Sequence, residues 1–470
     1  MSANMIGASI IILAVSLLIA KLIRVNFKIF STFFLPSSVI AGFLLLLLGP
    51  EVLGKIPLGE QFSYGLFNED ILIVFGSLPG LLITIIFASL FIGKKIPSIK
   101  NIWLTAGPQV SFGQTVAWGQ YVVGALVTML FLVPVLGANP MVGALIEIAF
   151  EGGHGTAAGL ADTFDELGFP EGRDLAMGLA TVGVVFGVIS GVILINWAVR
   201  KSHTVHLKSK DGMDQGEITG IIPIEDRKPT SSLTVSPESI EPLALHLGIV
   251  ALAVVFGKLM LEGLILLENM TWGRAEGFLI MRYIPLFPLA MLGGVIVQLL
   301  LTKFDKHHMI SRQMIVRLQG LSLDLLIVSA IASLSLSVIG ENLIVFLTLA
   351  FVGITWNILM FVFVARRMIP KYWFERGIGD FGQSMGMTAI GLMLIRIVDT
   401  DNKSNALAAF GYKQLLFEPI VGGGIMTAIS VPLIFNFGIV TVLIISLIVM
   451  TFWFILGLFY FGKMDPEEVI

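Results

Sequence analysis

The stretch EGGHGTAAG (151–159) packs a carboxylate, an imidazole, a hydroxyl and four glycines into nine residues. A second stretch, DFGQSMGMTAIGL (380–392), has the same outline. Each opens on an acid, follows with glycine and His or Gln, and, counting Leu160 after the first, closes on Thr-Ala-x-Gly-Leu. These residue types suit the binding of ions and small solutes. Gly152, Gly153 and Gly155 let backbone leave a helix without a Cβ penalty. Carbonyls freed by such a break can coordinate a cation, and the N-terminus of a half-helix can hold an anion. Thr156, Ser384 and Thr388 add hydroxyls, Gln383 an amide, and Glu151 and Asp380 charge. The plainer alternative is that the glycines serve close helix packing and the acids sit at an interface.

Other polar residues in apolar surroundings divide in the same way. His154 could relay a proton, bond a substrate carboxylate, or act as a hydrogen-bonded spacer. Asp324, in LSLDLLIVSA, is either an Na+ or H+ ligand or a solvated group near a helix end. Lys258 either pairs with Glu262 one turn on or snorkels to an interface. Gln114, Gln120, Glu147 and Glu418 either face a substrate or bond a neighbouring helix, while Trp356 and Asn357 read as packing. The remaining histidines, His203, His206, His246, His307 and His308, offer His154 no second ligand at zinc spacing, so no transition-metal site is expected. There is no cysteine, hence no thiolate chemistry. No Gly-x-Ser-x-Gly, phosphate-loop or dinucleotide fingerprint occurs.

Such groups need elements that hold them away from water, and the composition supplies these. Of 470 residues, 56% are hydrophobic and 13% charged, against roughly 25% charged in soluble domains. Mean hydropathy is +0.93. A soluble core of this length could not hide so much apolar surface, so lipid is part of the solvent. A net charge of −3 gives no reason to expect a nucleic-acid partner. The N-terminal apolar run lacks a preceding basic residue, and Lys21, Arg24 and Lys28 follow it. That is the reverse of a cleaved signal, so 5–23 reads as a retained first span with its N-terminus outside.

Spans of about 20 apolar residues are expected at 5–23, 32–50, 71–93, 102–133, 175–199, 244–267, 283–302, 318–338, 343–365, 419–437 and 438–462. The fourth is overlong and carries Gly107, Pro108, Gly113 and Gly119, so it should be tilted or bent. The stretches 140–160 and 378–398 fit no simple span. If both enter and leave on one side, most of the 29 basic residues fall in cytoplasmic segments, Arg376 and Lys413 among them. The charge bias therefore points to two re-entrant hairpins. Residues 201–243, rich in Ser, Thr, Pro and charge, read as a cytoplasmic linker. It leaves five spans on each side and one last helix. An odd number of spans inverts the second half in the membrane, the plan of inverted-repeat transporters.

The run NPMVGALIEIAFEGGHGTAAG (139–159) resembles the bacterial sodium/glutamate symporter family, whose members carry Gly-Gly-His-Gly-Thr after an apolar run. Further similarities follow in order: LPSSVIAGFLL (35–45), DLAMGLATVGVVFG (174–187), GKLM (257–260), LSLDLLIVSAIASLSL (321–336), DFGQSMGMTAIG (380–391) and EPIVGGGI (418–425). The resemblance covers about 1–437. It implies a homodimeric Na+-coupled symporter of a glutamate-like anion, built of two inverted five-helix repeats whose hairpins meet near the substrate. It transfers roles onto Gly152, Gly153, His154, Gly155 and Thr156, and onto Phe381, Gly382 and Thr388. The chain departs from the family at three places. Glu151 stands where relatives often have a small hydroxylic residue. The second motif opens on Asp380 and reads Gly386-Met387-Thr388 in place of Thr-Pro-Thr. A further helix follows at 438–462, with KMDPEEVI beyond it. Two acids suit cations, and they repel a dicarboxylate unless Na+, H+ or helix N-termini intervene.

The expectation is thus an all-α polytopic membrane protein. Its first repeat is 1–200 with hairpin 140–160, the linker 201–243, its second repeat 244–437 with hairpin 378–398, and 438–470 holds an extra helix and cytoplasmic tail. Na+ is expected at Glu151, Asp380, Asp324 and Gly382, with H+ as the alternative coupling ion. A glutamate-like substrate is expected at Gly152, Gly153, His154, Gly155, Thr156, Gln383, Ser384 and Thr388. The setting is the cytoplasmic membrane, with the chain a homodimer. The rival functions are a carrier of another solute and a channel of the same fold. An intramembrane enzyme has no nucleophile motif behind it.

Overall fold

A computed structural model describes residues 3–27, 30, 36–57, 63–94, 99–204, 221–222, 224–227, 229, 231, 233–272, 281, 284–386, 388–399 and 403–465. Among these the chain is helical without strands, and ten helices are long and apolar enough to cross a membrane. It is a multi-pass membrane protein. Much of the expected linker (205–220), Met387 and the tail beyond 465 lie outside the described residues.

The chain divides into two compact units. The first holds α1 (Ala3–Asn26), α2 (Ser37–Leu48), α3 (Glu69–Ala88) and, after the linker, three more long helices. The capping follows from sequence. Asn68 accepts from the Ile71 amide at the start of α3, and Glu69 and Asp70 complement the helix dipole there. A core of Leu13, Ala20, Ile40, Ala41, Leu45, Phe75, Val328 and Ala332 joins helices from before and after the linker.

The second unit contains α4, which runs as Ile99–Val127, a π turn at Thr128–Leu132 and a last turn at Val133–Leu136. After a 3-10 turn come α5 (Leu145–Phe150), α6 (Gly153–Gly159), α7 (Ala161–Glu166) and the unbroken α8 (Glu171–Arg200). Ala158–Thr163, the end of α6 and the start of α7, belongs to the first unit. That unit also holds α9 (Pro242–Met270), α10 (Leu286–Phe304) and α11 (Arg312–Ala332). In it, Lys258 pairs with Glu262 at 2.8 Å on the exposed face of α9.

The rest of the second unit begins with α12, which runs as Leu343–Met360, a π turn at Phe361–Ala365 and Arg366–Met368. Then come α13 (Trp373–Gln383), α14 (Thr388–Val398), α15 (Ala406–Phe417), α16 (Ile425–Phe437) and α17 (Ile439–Phe459). The tenth expected span, 419–437, is not a full crossing helix. Pro419 and the left-handed backbone of Gly422 (φ 70°) and Gly423 (φ 99°) interrupt it, and only the 13 residues of α16 are helical. The helix before that break, α15, was not expected at all. It carries Lys413, which the charge pattern assigned to a cytoplasmic segment and which is fully buried. Arg376 is likewise buried. A hydropathy count treats every charge as facing water and cannot see a partner inside the protein.

Candidate functional site

Both glycine-rich stretches break the helix, and both breaks lie against α8. In the first, α5 ends at Phe150, Glu151 remains helical in its backbone, and Gly153 turns left-handed (φ 70°) before α6 begins. In the second, α13 ends at Gln383 and α14 starts at Thr388. Glycines along α8 accept them. A Cβ on Gly183 would lie 2.1 Å from the Met385 carbonyl oxygen and 3.0 Å from the Phe150 ring, and one on Gly187 would lie 2.9 Å from Met385 Cβ. The small residues of α8 thus seat both breaks.

At the first break the polar groups divide into committed and uncommitted. Thr156 donates its hydroxyl to the Gly152 carbonyl at 2.9 Å and closes the break locally. His154 Nε2 lies 2.9 Å from Thr181 Oγ1 on α8, and the Thr181 hydroxyl is 3.1 Å from the Met177 carbonyl. Gly152 has no room for a side chain: a Cβ would lie 2.6 Å from the Ile148 carbonyl. Glu147 accepts from Tyr121 Oη at 2.5 Å, the Gly422 amide at 2.8 Å and Thr427 Oγ1 at 2.9 Å. It therefore ties α4, α5, α16 and the break at 418–424 together. One turn on, Glu151 is 4% exposed, and neither carboxylate oxygen has a donor in full hydrogen-bond geometry. The Ser384 hydroxyl of the second break faces this carboxylate and interacts with it, short of full hydrogen-bond geometry.

The second break is held at its carbonyl. Ser384 O accepts from Gln120 Nε2 at 2.9 Å and Asn357 Nδ2 at 2.5 Å, and Gln120 also donates to Asn357 Oδ1 at 3.0 Å. Asp380 pairs with Lys413 Nζ at 3.0 Å, both side chains wholly buried. Gln383 Oε1 accepts from Lys413 at 3.1 Å and from Gln414 at 2.8 Å. Gly382 serves close packing: a Cβ there would lie 2.8 Å from Gly391 of α14. Thr388 Oγ1 lies 3.4 Å from Glu418 Oε1.

The second unit therefore brings together every site residue expected from sequence except Asp324. That residue belongs to the first unit, on α11, and is exposed. Four buried acids, Glu147, Glu151, Asp380 and Glu418, stand around the breaks, with Lys413 as the basic partner of Asp380. Buried carboxylates in such excess call for cations. The uncommitted oxygens of Glu151 and Ser384 are hard donors of the type that alkali and alkaline-earth ions take. Sequence reasoning missed Lys413, Gln414 and Asn357. Asn357 had the look of packing, and its partners are long-range. The clue within reach was the presence of amides, Gln120 and Gln383, in apolar sequence, where each needs a long-range partner; these are Asn357 and Gln414.

Comparison with known proteins gives two matches. The family model described as sodium/glutamate symporter matches residues 4–398. A sodium/glutamate symporter of Haemophilus influenzae (strain ATCC 51907 / DSM 11121 / KW20 / Rd) is 24% identical over 430 residues, which cover 89% of this chain and 93% of the relative. The family match ends before α15, so Lys413 lies beyond it.

Proposed function

The chain belongs to the sodium/glutamate symporter family, and from that premise we propose that it is a Na+-coupled symporter of glutamate or a related small organic anion. The observation that carries this reading is Glu151: a buried carboxylate at a helix break, faced by the Ser384 hydroxyl and with no donor in full hydrogen-bond geometry. In this reading Glu151, Ser384 and freed backbone carbonyls take the sodium ion. Backbone amides at the two breaks take the solute's carboxylate, which the bound cation screens from the acids. The same acids favour a solute that brings an ammonium group, as an amino acid does.

The proposal includes two inverted repeats whose broken segments are re-entrant hairpins. Each half of the chain gives three helices to the first unit. Each half gives the second unit a long helix with a π turn, a broken segment and a last element. That matched order supports internal repetition. A homodimer in the cytoplasmic membrane, N-terminus outside and C-terminus in the cytoplasm, completes the proposal. No enzymatic step is part of it. The chain has no cysteine, so single cysteines at 153 and 386 report by labelling which side reaches each break. Labelling of both from the same side only would remove the inverted arrangement. A thermal-shift screen of amino acids and carboxylates, with and without Na+, tests the function. One solute and Na+ should stabilise each other, and a complete absence of Na+-dependent shifts would count against symport.

A further inference from the structure

The Lys413 ammonium sits where the sequence assigns a coupling ion, and its surroundings are those of a cation site. Asp380 lies at 3.0 Å, Gln383 Oε1 at 3.1 Å, and the centroid of the Phe417 ring at 4.0 Å beneath it. Carboxylate oxygen, amide oxygen and an aromatic face all attract a monovalent cation. The pocket is shaped for that charge. A Cβ on Gly113 of α4 would lie 2.7 Å from Nζ, so glycine there keeps the space open. Gln414 Nε2 donates to Gln383 Oε1 at 2.8 Å, and Gln383 Nε2 donates back to Gln414 Oε1 at 3.2 Å, which fixes the acceptor toward the ammonium. Stability alone gives no reason for the arrangement, since a buried ion pair rarely outperforms an apolar pair of the same volume.

We propose that Lys413 is a tethered cation. It fills, from α15, a second cation site on α13 that Na+ would occupy in its absence. The charge at that site then stays with the protein through the transport cycle. The exchangeable cation is left to Glu151, whose oxygens have no donor in full hydrogen-bond geometry and whose carboxylate feels the Lys413 charge only at longer range than Asp380 does. This goes beyond the symport reading and shares with it only the premise that Na+ enters the second unit.

The test uses the purified full chain, with radiolabelled sodium bound per chain and thermal midpoints in NaCl and in choline chloride. Lys413→Ala should bind one sodium ion more per chain than the parent and gain a stabilisation specific to NaCl. The double variant Asp380→Asn with Lys413→Met removes both charges at constant volume and should return to the parent's count. Equal sodium binding in the parent and Lys413→Ala overturns the proposal. So does a Lys413→Ala chain that fails to fold in both salts while the double variant folds, because a site that sodium can fill is one that sodium should rescue. A parent that binds no sodium beside a Lys413→Ala variant that binds one leaves the tethered cation standing and removes the symport reading.

Discussion

The two broken segments are fastened to the elements that follow them by opposite chemistry. In the first half, His154 on α6 meets Thr181 on the unbroken α8 through one neutral bond of 2.9 Å. In the second half, Asp380 on α13 meets Lys413 on α15 through a buried ion pair, with the Gln383–Gln414 amide pair beside it. The element after the second segment is itself broken at 418–424, and Glu147 of the first half secures that break through the Gly422 amide and Thr427. A shared order of elements thus carries unshared chemistry. The first half leaves a carboxylate, Glu151, uncommitted; the second has neutralised its own.

This contrast can be broken by mutation, with the largest effect at the charged link. In sodium-free buffer, Lys413→Ala strands Asp380 in the interior and should cost about 3–5 kcal/mol. A thermal midpoint close to that of the parent would show that the pair carries no such weight. Glu147→Ala strips an acceptor from Tyr121, Gly422 and Thr427 together. A loss of about 3 kcal/mol in denaturant unfolding is expected, since each of the three hydrogen bonds contributes about 1 kcal/mol net. Gly183→Ala places a Cβ 2.1 Å from the Met385 carbonyl. It should cost about 1–3 kcal/mol by overpacking and lower uptake by lifting the second break off α8. Smallest of all, His154→Ala should cost about 1 kcal/mol and keep most transport activity. A His154→Ala chain that folds like the parent and is devoid of uptake would make His154 a relay or ligand and erase the asymmetry.

Much of this was legible in the sequence, and the gaps have physical causes. Composition and apolar runs showed the membrane fold, because hydropathy is additive along a crossing helix. Glycine clusters marked both breaks, because positive φ and close approach leave a local trace: Gly153 at one, Gly183 and Gly382 around the other. The third break, at 418–424, was hidden inside an apolar run even though Pro419 and three glycines lie there. Lys413 was misplaced for a different reason. Its partner is 33 residues away in sequence on another helix, and no local pattern tells a buried lysine from one at a cytoplasmic edge. Asp324, which sequence alone left as an ion ligand or a solvated group, is exposed and lies outside the unit that holds the breaks.

The central claim is that Glu151 holds the exchangeable cation of a symporter. It is tested most directly by uptake of radiolabelled L-glutamate into proteoliposomes under an imposed inward Na+ gradient, for the parent and for Glu151→Gln. The account predicts that the parent accumulates the solute above its outside concentration and loses that accumulation when a sodium ionophore is added. It predicts that Glu151→Gln, folded to a similar midpoint, does not respond to the gradient. Accumulation by Glu151→Gln with the parent's full sodium dependence would contradict it.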